Sequence, residues 1–395
     1  MTAVELAPAA TRNGVLPAFT GALAVGVLVV GPAAAAAGWW SLAALGLAGL
    51  VAGLTAVSRV DLLAQSPSGD PHALVRERFG PVPARLSGVL SLAGRLAAAA
   101  AVALAAGAYV TPAAPALTAV VLVVGATALV VARVALSPAA GRALSAVAIV
   151  TLLLFVVATF AIPPADALPV LVAVPGADDP TGVLIAAGLF SVGFAGTTGS
   201  DQGQPATARA GLACVGAVML GVLAVGFGVL HQLGGPRAAL SPTPLLDALA
   251  AADGAAIAPL VVLGVAVGGF LAVRALLTGA AGAARELAEH GETPTWRHTP
   301  LALGVVAAGL PLVLGSTPLF EIAACLLLGH TAFANSAARS MPRADRTSWV
   351  RTGCCGLVLS VIVGANTSIV GVAVAAATAA LGGLALSAWR RRPVA

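Results

Sequence analysis

Residues 143–161 read ALSAVAIVTLLLFVVATFA, nineteen positions without a charge. A helix of about 18 or more such residues is long enough to cross the hydrocarbon core of a bilayer. Runs of this kind recur along the chain and constrain its fold more than any motif does. In lipid every backbone N–H and C=O must be paired within the chain, which leaves helices or closed barrels. The runs lack the alternation of barrel strands, so helices are expected. Charge agrees: 9% of residues are charged, against about 25% in an average soluble domain. The expected class is an all-α integral membrane protein.

Twelve transmembrane spans can be placed, at residues 14–37, 39–63, 82–109, 113–134, 138–161, 182–208, 209–232, 256–281, 299–315, 317–338, 350–369 and 370–389. There is no lysine, so all 20 basic residues are arginines. Arg12, Arg59, Arg76, Arg78, Arg85, Arg133, Arg142, Arg209, Arg274, Arg285, Arg297 and Arg339 to Arg392 fall on one side of this scheme. Only Arg237 falls in a loop on the other, where Asp166, Asp178, Asp179, Asp247 and Asp253 also lie. The asymmetry is the positive-inside pattern. It predicts a multi-pass cell-membrane protein with cytoplasmic N-terminal residues 1–13 and a cytoplasmic tail at 390–395. The +5 net charge is thereby spent on membrane orientation, and no nucleic-acid partner is expected. Residues 1–13 carry Glu5 and Arg12 without a cleavage site, so no removable signal peptide is expected.

Within the sixth span, residues 183–210 begin as an apolar helix and turn into GFAGTTGSDQGQP from Gly193. Irregular backbone at membrane depth is tolerated only where it is buried in protein or lines a watery cavity. A broken helix facing a site is therefore expected here. The first span holds Gly26, Gly31 and Pro32 near its midpoint and is expected to break as well. Helices one and six would each open a block of five spans, 14–161 and 182–338, of opposite orientation, with residues 350–389 as two peripheral helices. Interrupted helices at matching places in inverted halves point to a secondary transporter's binding site.

Residues 41–80 add a resemblance. Pro67, Gly69, Val75, Arg76, Phe79 and Gly80 match the pattern P-x-G-G-x-Y-x-Y-V-R-x-x-F-G of the amino acid–polyamine–organocation permease superfamily, and GFAG at Gly193 to Gly196 is similar to its F-x-G. Asp70, His72 and Leu74 depart from the first pattern, and the first-helix signature G-S-G-I-F reads AVGVL, keeping Gly26 alone. The acidic E-x-x-N-P closing the sixth helix is replaced by DQGQP, and Thr151 stands where some members carry a lysine in place of sodium. The resemblance implies a LeuT-like five-plus-five inverted repeat with helices one and six broken. It also implies transport of small amino acids or related amines by alternating access. In that reading Val25, Gly26, Val27 and Leu28, with Phe194, Ala195, Gly196 and Thr197, present backbone to the substrate. Unpaired N–H groups after a helix break suit a carboxylate, and unpaired carbonyls before it suit an ammonium. The alternative for both glycines is close packing alone.

Four ionisable residues stand out. An arginine at the centre of a membrane helix costs about 2.5–3.5 kcal/mol, so Arg95 in the third span should face the bundle and find a partner. It is either an anchor for an anionic substrate group, a fixed cation where relatives bind sodium, or a snorkelling residue on a later-starting helix. Asp201 is a proton-coupling carboxylate or a helix-end partner of Arg209. Glu321 is an outer-gate residue, a wetted helix start or a partner of Arg95. His330 is a proton carrier or a histidine bonded to a nearby carbonyl. Coupling to protons or exchange is favoured over sodium. Ser241 is expected to cap a short helix within 241–253. The four cysteines, in apolar segments, are expected to be buried thiols.

Signals for an enzyme are lacking. His231, His290 and His298 are not at metal-ligand spacing, and no glycine-rich phosphate loop follows a strand. No cofactor or metal is expected, and the partners are membrane lipid and a small-molecule substrate. A channel would show a ring of repeated polar ligands, whereas this sequence offers one asymmetric pair of breaks.

Overall fold

The computed structural model describes residues 7–65, 71–163, 178–198, 207–293, 298–343, 346 and 351–390. Among them there is no strand. The helices are α1 (Ala7–Leu28), α2 (Val30–Ala37), α3 (Ser41–Gln65), α4 (Pro71–Phe79), α5 (Pro81–Val110), α6 (Pro115–Val131) and α7 (Pro138–Ala161). After them come α8 (Val183–Thr198), α9 (Ala208–Leu240), α10 (Pro244–Ala251) and α11 (Ala258–Glu289). The chain ends with α12 (Thr299–Gly309), α13 (Ser316–Arg339), α14 (Thr352–Ala365) and α15 (Ile369–Arg390). Seven helical runs are long and apolar enough to cross a membrane, one of them the 51-residue run Val15–Gln65, and four shorter apolar helices accompany them.

Proline and glycine set most boundaries. Gly80, at φ +86°, stops α4, and Pro81 opens α5, where its missing N–H is no loss. Ser137 and Thr207 cap α7 and α9 by accepting from the N–H of Ala140 and Ala210, each at 3.2 Å. Ser241 does not cap α10. The N-cap position is Thr243, and Ser241 donates its hydroxyl to Asp247 while accepting from the Thr243 N–H at 3.1 Å.

The expected breaks are milder than the sequence suggested. α1 and α2 are separated by Val29 alone, and hydrogen bonds run through it, Val29 N–H to Val25 O at 3.1 Å and Ala33 N–H to Val29 O at 2.9 Å. α8 stays helical through Gly193 to Thr198, and the rest of the stretch expected to break, residues 199–205, lies outside the described residues. The energies explain this: a glycine costs a helix roughly 1 kcal/mol relative to alanine, less than an unsatisfied backbone pair costs in an apolar setting.

α5 is the central helix, packed against α11 on one side and α13 on another, with α6, α4 and α15 around it. α3 packs on α8 and α9, and α1 on α11, α7, α8 and α9. Close approach depends on small residues. A Cβ on Gly94 of α5 would come within 2.8 Å of Leu327 on α13, and one on Gly268 of α11 within 2.8 Å of Ala24 on α1. The outward faces of α6, α7 and α15 carry exposed Leu117, Val121, Leu153, Val157, Leu381 and Leu384, as lipid contact requires. Cys325 is buried but Cys355 is exposed, so the expectation of four buried thiols fails at that position, where α14 is peripheral.

One polar cluster binds the arginine-rich helix ends. α11 closes in a Schellman turn: Gly291 takes φ +68° and donates to Ala288 O at 2.9 Å, and Glu292 N–H reaches Leu287 O at 3.0 Å. This aims the fully buried Glu292 side chain at two arginines. Its Oε1 accepts from Arg76 of α4 and, at 3.1 Å, from Nε of Arg85 of α5. Arg85 Nη1 also donates to Ser387 of α15 at 3.0 Å.

A Cβ at Gly353 would sit 2.7 Å from Arg339 N and 2.8 Å from Asn335 O, both backbone of α13. Gly353→Ala should cost about 1–3 kcal/mol and lower the thermal midpoint in detergent. Gly46→Ala, where nothing lies within 4 Å, should leave the midpoint unchanged or raise it. Glu292→Ala leaves Arg85 buried without its carboxylate and should cost about 3 kcal/mol. An alanine variant melting with wild type would remove the cluster from the stability of the fold.

Candidate functional site

A cavity of about 560 Å³, counting its mouth, opens between α3, α5, α8 and α13. Four helices line it by helical periodicity. α3 presents Ala48, Val51, Ala52, Thr55 and Arg59, spaced to share one face. α8 presents Ser191, Phe194 and Ala195, α13 presents Leu327, Leu328, His330, Thr331 and Ala334, and α5 contributes Arg95. The wall is thus aliphatic with one aromatic ring, crossed by six polar side chains: Thr55, Arg59, Arg95, Ser191, His330 and Thr331.

Arg95 is 7% exposed and lies 14 residues into α5, so about 21 Å along a helix of about 45 Å. Its Nη1 donates to Ser91 Oγ one turn earlier and to Gly279 O of α11 at 3.4 Å. Gly279 makes the room: a Cβ there would lie 2.9 Å from Arg95 Nε. His330 Nδ1 is 3.0 Å from Ser87 Oγ and 3.2 Å from Ser87 O, which ties α13 to α5 beside the cavity. Thr55, Ser191 and Thr331 donate their hydroxyls to Val51, Gly188 and Leu327 O of their own helices at 2.6–2.8 Å. Thr55 Oγ1 also accepts from Asn335 Nδ2 at 3.0 Å. Hydroxyls held in this way turn an oxygen lone pair, and no donor, toward a guest.

Of the residues singled out from sequence, Arg95, Phe194, Ala195 and His330 meet on this wall. Gly196 and Thr197 continue α8. Asp201 lies outside the described residues. Glu321 sits near the start of α13 beside Gly371 of α15, nine residues before His330, and is not on the wall. Val25, Gly26, Val27 and Leu28 do not line it either. A Cβ at Gly26 would meet Val222 of α9 at 2.5 Å, and one at Gly193 would lie 3.2 Å from Gly26 N, so the two glycines bring α1, α8 and α9 together. Val27 and Leu28 face a second, smaller cavity of about 270 Å³, bounded by α1, α7 and α11.

Sequence reasoning missed Arg59, Thr55, Ser191 and Thr331. Arg59 was counted with the membrane-flanking arginines, yet it is 8% exposed and six residues inside the end of α3. The signal was present in the spacing, since positions 48, 51, 52, 55 and 59 form one stripe of small residues ending in a cation. Among the described residues no group of three His, Cys, Asp or Glu is placed to hold a metal ion.

No protein-family model matches the chain. Among curated proteins it is 29% identical to one described as an uncharacterized transporter of Mycobacterium bovis, over 87% of this chain and 84% of that protein. It stands in the same relation to an uncharacterized transporter of Mycobacterium tuberculosis, again 29% identical over 87% of this chain and 84% of the relative.

Proposed function

We propose that the chain is a secondary transporter in the cell membrane, moving a small organic solute by alternating access, with small amino acids the expected class. The observation that carries this reading is a mirrored packing pattern. Counting α1 and α2 as one span and leaving out α4 and α10, the twelve apolar helical spans divide into five, five and two. Pairing each of the first five with its counterpart five spans later, contacts repeat across the halves. α1 on α7 matches α8 on α13, and α5 on α6 matches α11 on α12. α7 on α11 matches α13 on α5, and α3 on α8 matches α1 on α9. Such internal repetition is the architecture of many secondary transporters.

The exception supports the mechanism. α1 packs closely on α11, but its counterpart pair, α8 and α5, makes no comparable contact among the described residues. The large cavity lies there instead. The smaller cavity sits at the counterpart place, between α1, α7 and α11. One interface closed and its mirror open is the asymmetry that alternating access requires. By the arginine distribution the Arg59 end of the cavity is the cytoplasmic end, with both termini on that side. His330 and Asp201 are the candidates for proton coupling, and exchange serves as well. The names of the relatives fit this reading, and it involves no catalysis.

The test is radiolabelled amino-acid flux in proteoliposomes with imposed pH or sodium gradients. Saturable uptake accelerated by internal unlabelled substrate is expected. Gly279→Ala, which crowds Arg95, should reduce it several-fold while the protein stays monodisperse. The absence of saturable flux and counterflow for every amino acid would sink the amino-acid assignment.

A further inference from the structure

We infer that Asp178 is the latch of an outer gate, seated between two glycines where the outer ends of four spans meet, and that its release opens the large cavity to the outside. The inference rests on the transporter reading above. By the arginine distribution the loop that carries Asp178 is on the outer side. Asp178 takes φ +58°, a left-handed conformation that Gly and Asn adopt readily and most other residues do not. It stands two residues before the turn Pro180–Gly182 that opens α8. Its Oδ1 accepts the N–H of Trp39 at 2.9 Å, in the turn Gly38–Trp40 between α2 and α3. A Cβ on Gly38 would collide with that Oδ1 and with Asp178 N, and one on Gly235 of α9 would lie 2.9 Å from the same Oδ1. Gly38 is itself at φ +54°, and Gly234 kinks α9 at φ +70° beside Gly235. One carboxylate thus gathers the end of α2, the start of α3, the entry to α8 and the outer end of α9.

The same end of the molecule is closed by backbone contact. A Cβ on Gly182 would collide with Ala36 O of α2, so the first and sixth spans touch there with no side chain between them. Ser191 of the cavity wall lies nine residues further along α8, about 13 Å inward. Between the two, Ala186, Ala187, Leu189 and Phe190 are buried, so packed side chains separate the cavity from the outer contact. A solute can enter from outside only if α2 and α8 part, and the Asp178 contacts bridge them. Asp178 is exposed, and so is its bond to Trp39. Water can take the place of either partner when that bond opens, which keeps the net gain small and the closure reversible.

The experiment places a reporter in the cavity wall, Ala195→Cys in the full chain, and labels it with a membrane-impermeant maleimide. Labelling is counted above that of the chain with its four native cysteines alone, in intact cells for the outer side and in inverted membrane vesicles for the cytoplasmic side. With the latch intact the reporter should react from the cytoplasmic side and hardly at all from outside. Asp178→Gly keeps the left-handed backbone and removes the carboxylate, and should raise outer labelling several-fold while cytoplasmic labelling falls. Asp178→Asn keeps both the backbone conformation and the acceptor, and should label as the parent does. Gly182→Ala forces α2 from α8 and should act like Asp178→Gly, which keeps the inference testable if one variant fails to fold. An unchanged ratio in both Asp178→Gly and Gly182→Ala would overturn the latch. So would a rise from both sides together, which reports a loosened fold, or a reporter that reacts from outside before any latch change. Flux in proteoliposomes separates this inference from the transporter reading. A reciprocal shift in labelling with no solute moving leaves the latch standing without transport. Saturable flux with labelling unshifted in both variants leaves transport standing and overturns the latch.

Discussion

Everything in this bundle depends on how closely helices can approach when solvent no longer drives them together. Lipid tails are as apolar as leucine, so association relies on surface fit between helices. The chain meets this constraint with alanine and glycine. Residues 97–101 of α5 are five consecutive alanines, buried against α11 and α13. Gly264 and Gly269 of α11 accept Thr151 and Ala106 at distances that no Cβ would permit. Where such an approach is absent, between α8 and α5, the space that remains is the large cavity. The cavity is therefore defined by the same rule that builds the core.

The seven long apolar runs were legible because the hydrocarbon core demands long apolar helices, and the charges that flank them are few. Pro81, Pro115 and Pro138 stand at the first turns of α5, α6 and α7, where a missing N–H is harmless, and each could be read directly. Arg76 and Gly80, matched to the permease pattern, turn out to bind Glu292 and to stop α4. What misled was composition. GFAGTT opens the stretch GFAGTTGSDQGQP that was expected to break, yet these six residues are helical. Backbone pairing outweighs propensity in an apolar setting, and the glycines are spent on bringing α8 against α1.

The site was legible in part for a related reason. A charge deep in an apolar span, such as Arg95, is conspicuous because its burial must be compensated. Arg59 was hidden because a cation near a helix end is the ordinary positive-inside arrangement, and only the fold reveals that α3 continues past it into a packed end. The hydroxyls of Thr55, Ser191 and Thr331 were silent for another reason. Each bonds its own helix, as membrane threonines and serines commonly do, so nothing in the local sequence distinguishes a wall residue from a lipid-facing one.

The Glu292 cluster has a mechanical meaning. α15 looks like cladding: it is the last helix, and most of its surface is turned outward. Yet Ser387 on it holds Arg85, whose other partner is the carboxylate that closes α11. The outermost helix is thus geared to the innermost one by a shared guanidinium as well as by packing. A rigid rotation of α5 cannot leave α15 behind without breaking that linkage, so the last helix acts as ballast on the centre of the bundle rather than as a removable coat.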